Sequence, residues 1–378
     1  MIIPLAKPYM NNEEILAVAS VLNSGWLLQK KKVSEFELMV ASYTKAKFAR
    51  ATSSCTTALH LALLSLGIGE GDEVLVPAFT YIASANAIEH TGARPIFIDI
   101  DPTTFNIDVQ KVEEYLAENS SKVKCIMPVH LFGLSADMNP LIALAKHYDL
   151  HIVEDAACAL GTLYHNVHVG RFRDAGCFSF HPRKTITTGE GGMLITNNRE
   201  IVSTVSSLRN HGINDNFTAL SYNYRMTDIQ GAIGIEQMKK LPFIISEKVR
   251  RATIYNEQLC DNKHFRLPFT PDGCYHTYQA YVIQLNKPNG TSFNELSGVR
   301  NRIMYQLGEA GIETKQGTYA VHALSYYKNK YSLKDLDYPN SFYADRLSIA
   351  LPLYPRMTDL EQEYVIENLL KVSKECFL

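Results

Sequence analysis

The sequence predicts an α/β protein: a large unit on a mostly parallel, mixed sheet flanked by helices, then a smaller α+β unit. Three observations predict it. Over the first two-thirds of the 378 residues, short β-branched apolar runs alternate with helical patterns, as βαβ units on a parallel sheet do. After about Asn210 that alternation gives way to a mixture of helix and strand patterns. The length suits two domains, and the change of pattern places them at 1–242 and 243–378.

The elements follow in order. Asn12 is positioned to cap a helix through about Asn23, which Gly25 ends. A second helix covers about Ser34–Thr44. Ser53-Ser54-Cys55-Thr56-Thr57 is a hydroxyl-rich cap opening the buried helix Ala58–Leu64, ended by Gly67. Strands are expected at Glu73–Pro77, Pro95–Asp99, Val123–Pro128, His151–Glu154, Cys177–Phe180 and Met193–Thr196, with a helix from after the first of these to about Glu89. Thr227 caps a long helix through about Lys240, closely packed through Gly231, Ala232 and Gly234 and interrupted near Pro242. A further helical pattern runs from Phe243 to Cys260. Thr277–Leu285 alternates like a strand, and Asn294–Gly311 and Asp359–Glu375 read as helices.

Composition excludes several classes. Apolar residues make up 46% and charged residues 20%, with 21 Tyr and 16 Phe, so the chain can bury a core without disulfide or metal staples. The net charge of −2 argues against a nucleic-acid polymer as partner. Lys30-Lys31-Lys32 reads as a solvated turn. The seven cysteines (55, 125, 158, 177, 260, 274 and 376) are scattered, with no C-x-x-C pair. This predicts free thiols, no metal and a reducing cytoplasm. The start Met1-Ile2-Ile3-Pro4 lacks a signal-peptide pattern, and no apolar run is long enough to span a membrane.

Three features suggest chemistry. Ser53–Leu59 presents hydroxyls and free backbone N–H groups at a helix start, an arrangement that suits an anion such as phosphate and also a plain Ser/Thr cap. Asp155 ends a buried strand and is followed by Ala156 and Ala157. Ligands in open α/β sheets sit beyond such strand ends, where a carboxylate can pair with a cationic ring nitrogen or cap the next helix. Lys184 lies in Ser179–Gly192, a turn rich in Thr and Gly. Packed, dry surroundings would make it lose its proton readily and act as a nucleophile; an exposed loop would not. The lysine precedes the glycines, which is the wrong order for a nucleotide-binding P-loop. A lysine, a carboxylate and a phosphate cradle are the parts of a pyridoxal phosphate (PLP) site, and Tyr81, shortly after Pro77, is placed to cover the ring.

These residues carry a resemblance. The chain resembles the DegT/DnrJ/StrS-type PLP-dependent sugar aminotransferases over essentially its whole length. The motifs are Gly71-Asp72-Glu73-Val74 with Pro77-Ala78-Phe79-Thr80, Pro128-Val129-His130 with Gly133, and Glu154-Asp155-Ala156-Ala157. They continue with Ser179-Phe180, Lys184 and Gly189-Glu190-Gly191-Gly192, then Arg209-Asn210-His211-Gly212, then Tyr222-Asn223-Tyr224-Arg225-Met226 with Gln230. The resemblance implies the aspartate aminotransferase fold (PLP fold type I) and a homodimer with active sites at the subunit interface. It implies that Lys184 forms the Schiff base, Asp155 pairs with the pyridine nitrogen and Tyr81 stacks on the ring. Thr56, Thr57 and Ser179 would hold the phosphate, with Asn223 reaching it from the neighbouring subunit.

The implied reaction moves the amino group of L-glutamate to a keto sugar, typically a nucleotide-linked 3-keto or 4-keto deoxyhexose. It leaves 2-oxoglutarate and passes through pyridoxamine phosphate, with Lys184 moving the proton. The amino sugar would serve surface polysaccharide, glycan or natural-product synthesis. A cyclitol or other small carbonyl acceptor, and a catalytically silent PLP-binding protein, are the alternatives. Retention of Lys184 argues against the deoxygenating branch, which carries His there. Tyr319 and His322 lie where relatives place substrate-adjacent residues, the alternative being ordinary packing. Arg225 suits a carboxylate or diphosphate, or an interface salt bridge. Two departures stand out: Ser54-Cys55-Thr56-Thr57 replaces the usual Ser-Gly-Thr-Ala, and Cys158 replaces a Gln or His near the cofactor. Cys158 is then either a poor hydrogen-bonding substitute or a small buried hydrophobe.

Overall fold

The computed structural model describes residues 1–286 and 292–377. Its centre is a seven-stranded sheet of β1 (Phe48–Thr52), β2 (Glu73–Pro77), β3 (Arg94–Ile98), β4 (Val123–Ile126), β5 (His151–Asp155), β6 (Ala175–Ser179) and β7 (Gly192–Thr196), in the order β1-β7-β6-β5-β4-β2-β3. Every pairing is parallel except the two made by β7, which runs against both neighbours. Strands β1, β2, β5 and β6 therefore end at one edge, and β7 begins there. The strands read as continuous apolar runs because the sheet is covered on both faces. One core holds Phe36, Phe178, Phe180 and Met193; the other holds Leu59, Leu61, Val76 and Phe97.

Helices follow the strands. They are α1 (Asn12–Ser24), α2 (Lys31–Thr44), α3 (Cys55–Ser65), α4 (Ala83–Glu89), α5 (Val109–Asn119), α6 (Met138–His147), α7 (Arg199–Leu208) and α8 (Asp228–Leu259). The cap of α1 is Asn11, one residue earlier than expected. Its side chain and that of Glu14 form a reciprocal capping box, and Gly25 closes the helix at φ 71°. Helix α2 starts three residues before the expected Ser34. Its cap is not local: the Asp228 carboxylate accepts from the backbone N–H groups of Lys30 (2.7 Å), Val33 (3.0 Å) and Lys32 (3.2 Å).

The expected break at Pro242 is absent. Helix α8 runs unbroken through the proline. Its first half packs Ile235, Met238, Leu241, Ile244 and Ile245 into the first core. Its second half packs Ala252, Tyr255 and Leu259 into a third core with Tyr281, Ile303 and Leu369. Burial on both sides repays the loss of one backbone hydrogen bond at Pro242. That third core is built on a three-stranded antiparallel sheet, β8 (Phe265–Arg266), β9 (Tyr281–Leu285) and β10 (Ser348–Leu351), with α9 (Phe293–Glu309) and α12 (Asp359–Cys376) against it. Ile3 is fully buried in it and bridges to Ile312, so the N-terminal residues pack with the C-terminal ones. Between α9 and α12 lie α10 (Ser325–Tyr331) and α11 (Pro339–Leu347). Strand β9 begins at Tyr281, four residues later than the alternation suggested. The short pair Tyr319–Ala320 and Phe79–Thr80 stitches the C-terminal segment to the strand ends of the large sheet.

Candidate active site

The strand ends and the C-terminal segment enclose a cleft of about 370 Å³, within the size range of small-ligand sites. Its floor is built by the chain reversals that follow β1, β5 and β6. After β1, Ser54 is extended (φ −162°, ψ 165°) and caps α3, its Oγ accepting from the Thr57 N–H at 3.2 Å. The first-turn N–H groups of Cys55 and Thr56 lie beyond the reach of intrahelical acceptors, and both residues line the cleft. Gly192 makes this cap possible. A Cβ there would sit 2.3 Å from the Ser54 carbonyl carbon and oxygen.

Asp155 ends β5 and is buried. Its Oδ2 accepts from the Ser84 hydroxyl at 2.7 Å and its Oδ1 from the Ala157 N–H at 3.1 Å. The strand end is clamped through its backbone: the His130 N–H donates to the Asp155 carbonyl and the Asp155 N–H to the Pro128 carbonyl, each at 2.9 Å. Beside it, the fully buried Glu154 accepts from His130 Nε2 (3.0 Å) and from the N–H groups of Gly170 (2.6 Å) and Phe172 (2.7 Å). His130 Nδ1 accepts from the Ala136 N–H, so the ring is the neutral Nε2–H tautomer.

Lys184 sits in a turn closed at its base by Phe180. The Phe180 carbonyl accepts from the Thr188 N–H (3.0 Å) and the Thr187 hydroxyl (2.8 Å), and the Lys184 N–H donates to the His181 carbonyl (2.8 Å). The Lys184 amino group lies 3.0 Å from Cys158 Sγ. Burial alone pushes the Lys184 ammonium down, but the Cys158 sulfur and the Asp155 carboxylate outweigh it and hold the group above its ordinary value. This reverses the expected easy loss of its proton, because the packed surroundings are polar rather than dry. Cys158 is partly exposed in the cleft, so the small-buried-hydrophobe alternative does not hold.

The cleft thus brings together Lys184, Asp155, Cys158, Thr56, Tyr81 and Ser179. Thr57 is turned away; its hydroxyl accepts from the Ser54 N–H (3.1 Å) and donates to the Ser54 carbonyl (2.8 Å), completing the cap. Asn223 is exposed and bridges through its backbone to Asn210, whose side chain accepts from Arg225 Nη1 at 2.8 Å. Tyr319 stands outside the lining, its ring 6.3 Å from that of Tyr81. His322 is buried elsewhere, with Nε2 3.0 Å from the Asp335 carbonyl oxygen and its ring against Tyr338.

Sequence reasoning missed Ser84, Gln279, Lys315 and Lys248. Ser84 had a faint signal, since it lies one helical turn after Thr80 and the two hydroxyls are 3.0 Å apart. The others join the site only through tertiary structure. Gln279 Nε2 donates to the Arg183 carbonyl at 2.7 Å. Buried Lys248 donates to the Gln279 carbonyl at 2.7 Å, and burial, with Lys184 nearby, lowers it to about 8.

The donor set fits PLP. A helix N-terminus with free N–H groups takes an anion, and the missing Cβ at Gly192 leaves room for its backbone. A primary amine and a carboxylate line the same small cleft. Among the described residues there is no group of three or more His, Cys, Asp or Glu able to hold a metal ion, and no helix is long and apolar enough to cross a membrane.

Comparison with known proteins agrees with the geometry. The model of the DegT/DnrJ/EryC1/StrS aminotransferase family matches residues 8–370. A GDP-perosamine synthase of Escherichia coli O157:H7 is 36% identical over 97% of this chain and 97% of its own. The spore coat polysaccharide biosynthesis protein SpsC of Bacillus subtilis is 35% identical over 98% of this chain and 97% of its own. Among solved structures, Streptococcus pneumoniae Spr1654 in its PLP-form superposes with a TM-score of 0.91 over the whole of both chains, at 29% identity.

Proposed function

The chain belongs to the DegT/DnrJ/EryC1/StrS aminotransferase family and is a PLP-dependent aminotransferase, and on that premise we propose that it transfers the amino group of L-glutamate to a nucleotide-linked 3-keto or 4-keto deoxyhexose. The observation that carries this reading is the gathering of Lys184, Asp155 and the N-terminus of α3 in one cleft. The perosamine synthase and the spore-coat polysaccharide protein support a sugar acceptor bound for surface polysaccharide. Arg183 and Lys315, which also line the cleft, suit the diphosphate of a nucleotide sugar.

Bound PLP supplies the electron sink for the carbanion left when the donor loses its α-proton. The rest is the work of this chain. Lys184 would hold the cofactor through its carbonyl carbon and, as a free amine, would carry the donor's proton. Asp155, fixed by Ser84 and Ala157, pairs with the ring nitrogen. The N–H groups of Cys55 and Thr56, with Ser179, hold the phosphate. Tyr81 covers the ring.

Asn223 and Arg225 lie outside their own cleft and serve that of a second copy in a homodimer. Exposed Trp26, Leu28, Leu38, Phe217 and Leu220 supply apolar surface for such a contact. Tyr319, beside Tyr81, borders the acceptor's entry, and His322 supports that segment from behind. A cytoplasmic location accords with the cysteines, all free among the described residues.

The test is an absorbance spectrum of the purified chain before and after excess L-glutamate. A band near about 410–430 nm that converts to one near about 330 nm marks a working first half-reaction. Release of 2-oxoglutarate and amination of a keto sugar then complete the reaction. A PLP band that glutamate leaves unchanged would sink the glutamate assignment, and Lys184→Ala with wild-type turnover would sink that of the lysine.

A further inference from the structure

Cys158 and Lys184 form a close pair of a soft nucleophile and an amine. Sγ and Nζ are 3.0 Å apart, and both line a cleft open to small solutes. The two residues come from different turns, each fixed by backbone hydrogen bonds: Ala159 N–H to the Ala156 carbonyl (2.8 Å) on one side, and the Phe180-closed turn on the other. Cys55, the other cysteine that bears on Lys184, also borders the cleft, but it is buried, with its thiol pushed far up by burial.

We propose that Cys158 and Lys184 are a peroxide-responsive modification site that closes into a covalent sulfur–nitrogen bridge. Hydrogen peroxide is the oxidant. The Cys158 sulfur attacks one peroxide oxygen; an S–O bond forms, the O–O bond breaks, and the departing hydroxide leaves with the thiol proton as water. Sulfur is oxidised to the sulfenic acid and the peroxide is reduced. The neutral Lys184 amine then attacks that sulfur. An S–N bond forms, the S–O bond breaks, and hydroxide leaves with a proton from nitrogen as the second water. No further oxidant is needed. Thiol reductants reverse the bridge by exchange at sulfur. The bridge removes the Lys184 amine that lines the cleft with Asp155, so peroxide would switch the site off without damaging the chain irreversibly. The nucleophile is the neutral amine, so the second step quickens as pH rises from neutral toward about 9.

The inference rests on the Cys–Lys contact and not on the identity of the sugar. The experiment treats the full-length chain with hydrogen peroxide, with and without added PLP, and follows it by non-reducing peptide mass spectrometry. The expected product joins the Cys158 and Lys184 peptides with the loss of two hydrogens. It is absent from Cys158→Ser, disappears with dithiothreitol and is suppressed by PLP. A bridge equally abundant with PLP supports the proposal and counts instead against Lys184 as the cofactor's lysine. Cys158 found only as sulfinic acid, or a bridge retaining an oxygen between sulfur and nitrogen, overturns it. So does a wild-type chain with no joined peptide.

Discussion

His130 Nε2 lies 3.0 Å from Glu154 Oε2, with both side chains fully buried. The same histidine, through its backbone N–H, bonds the carbonyl of the next residue, Asp155. One side chain and one peptide group thus hold two consecutive acids pointing in opposite directions, one into the core and one into the cleft. Alternation along a strand dictates the opposite directions. His130 makes the inner acid tolerable.

His130→Ala should therefore cost stability first and activity second. It removes a charge-assisted hydrogen bond and leaves a void beside a buried carboxylate, at a cost of about 2–4 kcal/mol. Chemical denaturation at neutral pH measures this. A midpoint within error of wild type would mean that Gly170 and Phe172 alone suffice for Glu154.

Gly192→Ala should weaken cofactor binding. The added methyl meets the Ser54 carbonyl and displaces the cap whose N–H groups are proposed to hold the phosphate. Overpacking of about 1–3 kcal/mol, taken up by this turn, would raise the PLP dissociation constant by about 5- to 150-fold. Titration of the variant with PLP, followed by absorbance, gives the value directly. Wild-type affinity would show that the phosphate sits elsewhere.

Asp228→Ala should destabilise helix α2. Three backbone N–H groups lose their acceptor at once, and loss of such a cap costs about 1–2 kcal/mol. Asn should retain more of it than Ala. Hydrogen exchange would locate the loss in the first turn of α2; uniform loosening would point to another role.

Lys248 should give the protein an alkaline rise in stability. The folded chain releases this proton at about 8, against an ordinary value of 10.5. Between those values the unfolded chain binds more protons, so stability increases with pH; below about 8 both states are charged and the burial penalty stands in full. Lys248→Met should lack this rise. Urea midpoints of the two proteins at about pH 7.5 and 9.5 would then converge at the higher value. Parallel curves would mean that Lys248 is charged throughout.

The parts of the fold set by local pattern were legible. The strands ending at Pro77 and Asp155, the glycine that closes α1 and the cap at Ser54 all follow from neighbouring residues. The unread parts depend on distant partners. Helix α2 begins early because Asp228 caps it, and α8 survives Pro242 because both its halves are buried. The site divides the same way. Lys184 and Asp155 announce themselves by motif, whereas Ser84, Gln279 and Lys248 are known only by whom they meet. Thr57 shows the converse, since a hydroxyl in the right motif was taken by its own helix cap.

The unbroken course of α8 has a thermal consequence. Its two halves belong to different cores, so neither core can melt while the other keeps the helix whole. Heat should meet one cooperative block, with a calorimetric enthalpy matching the van't Hoff value despite several separate sheets and cores. A substitution that breaks the helix near Pro242 would split that single peak in two.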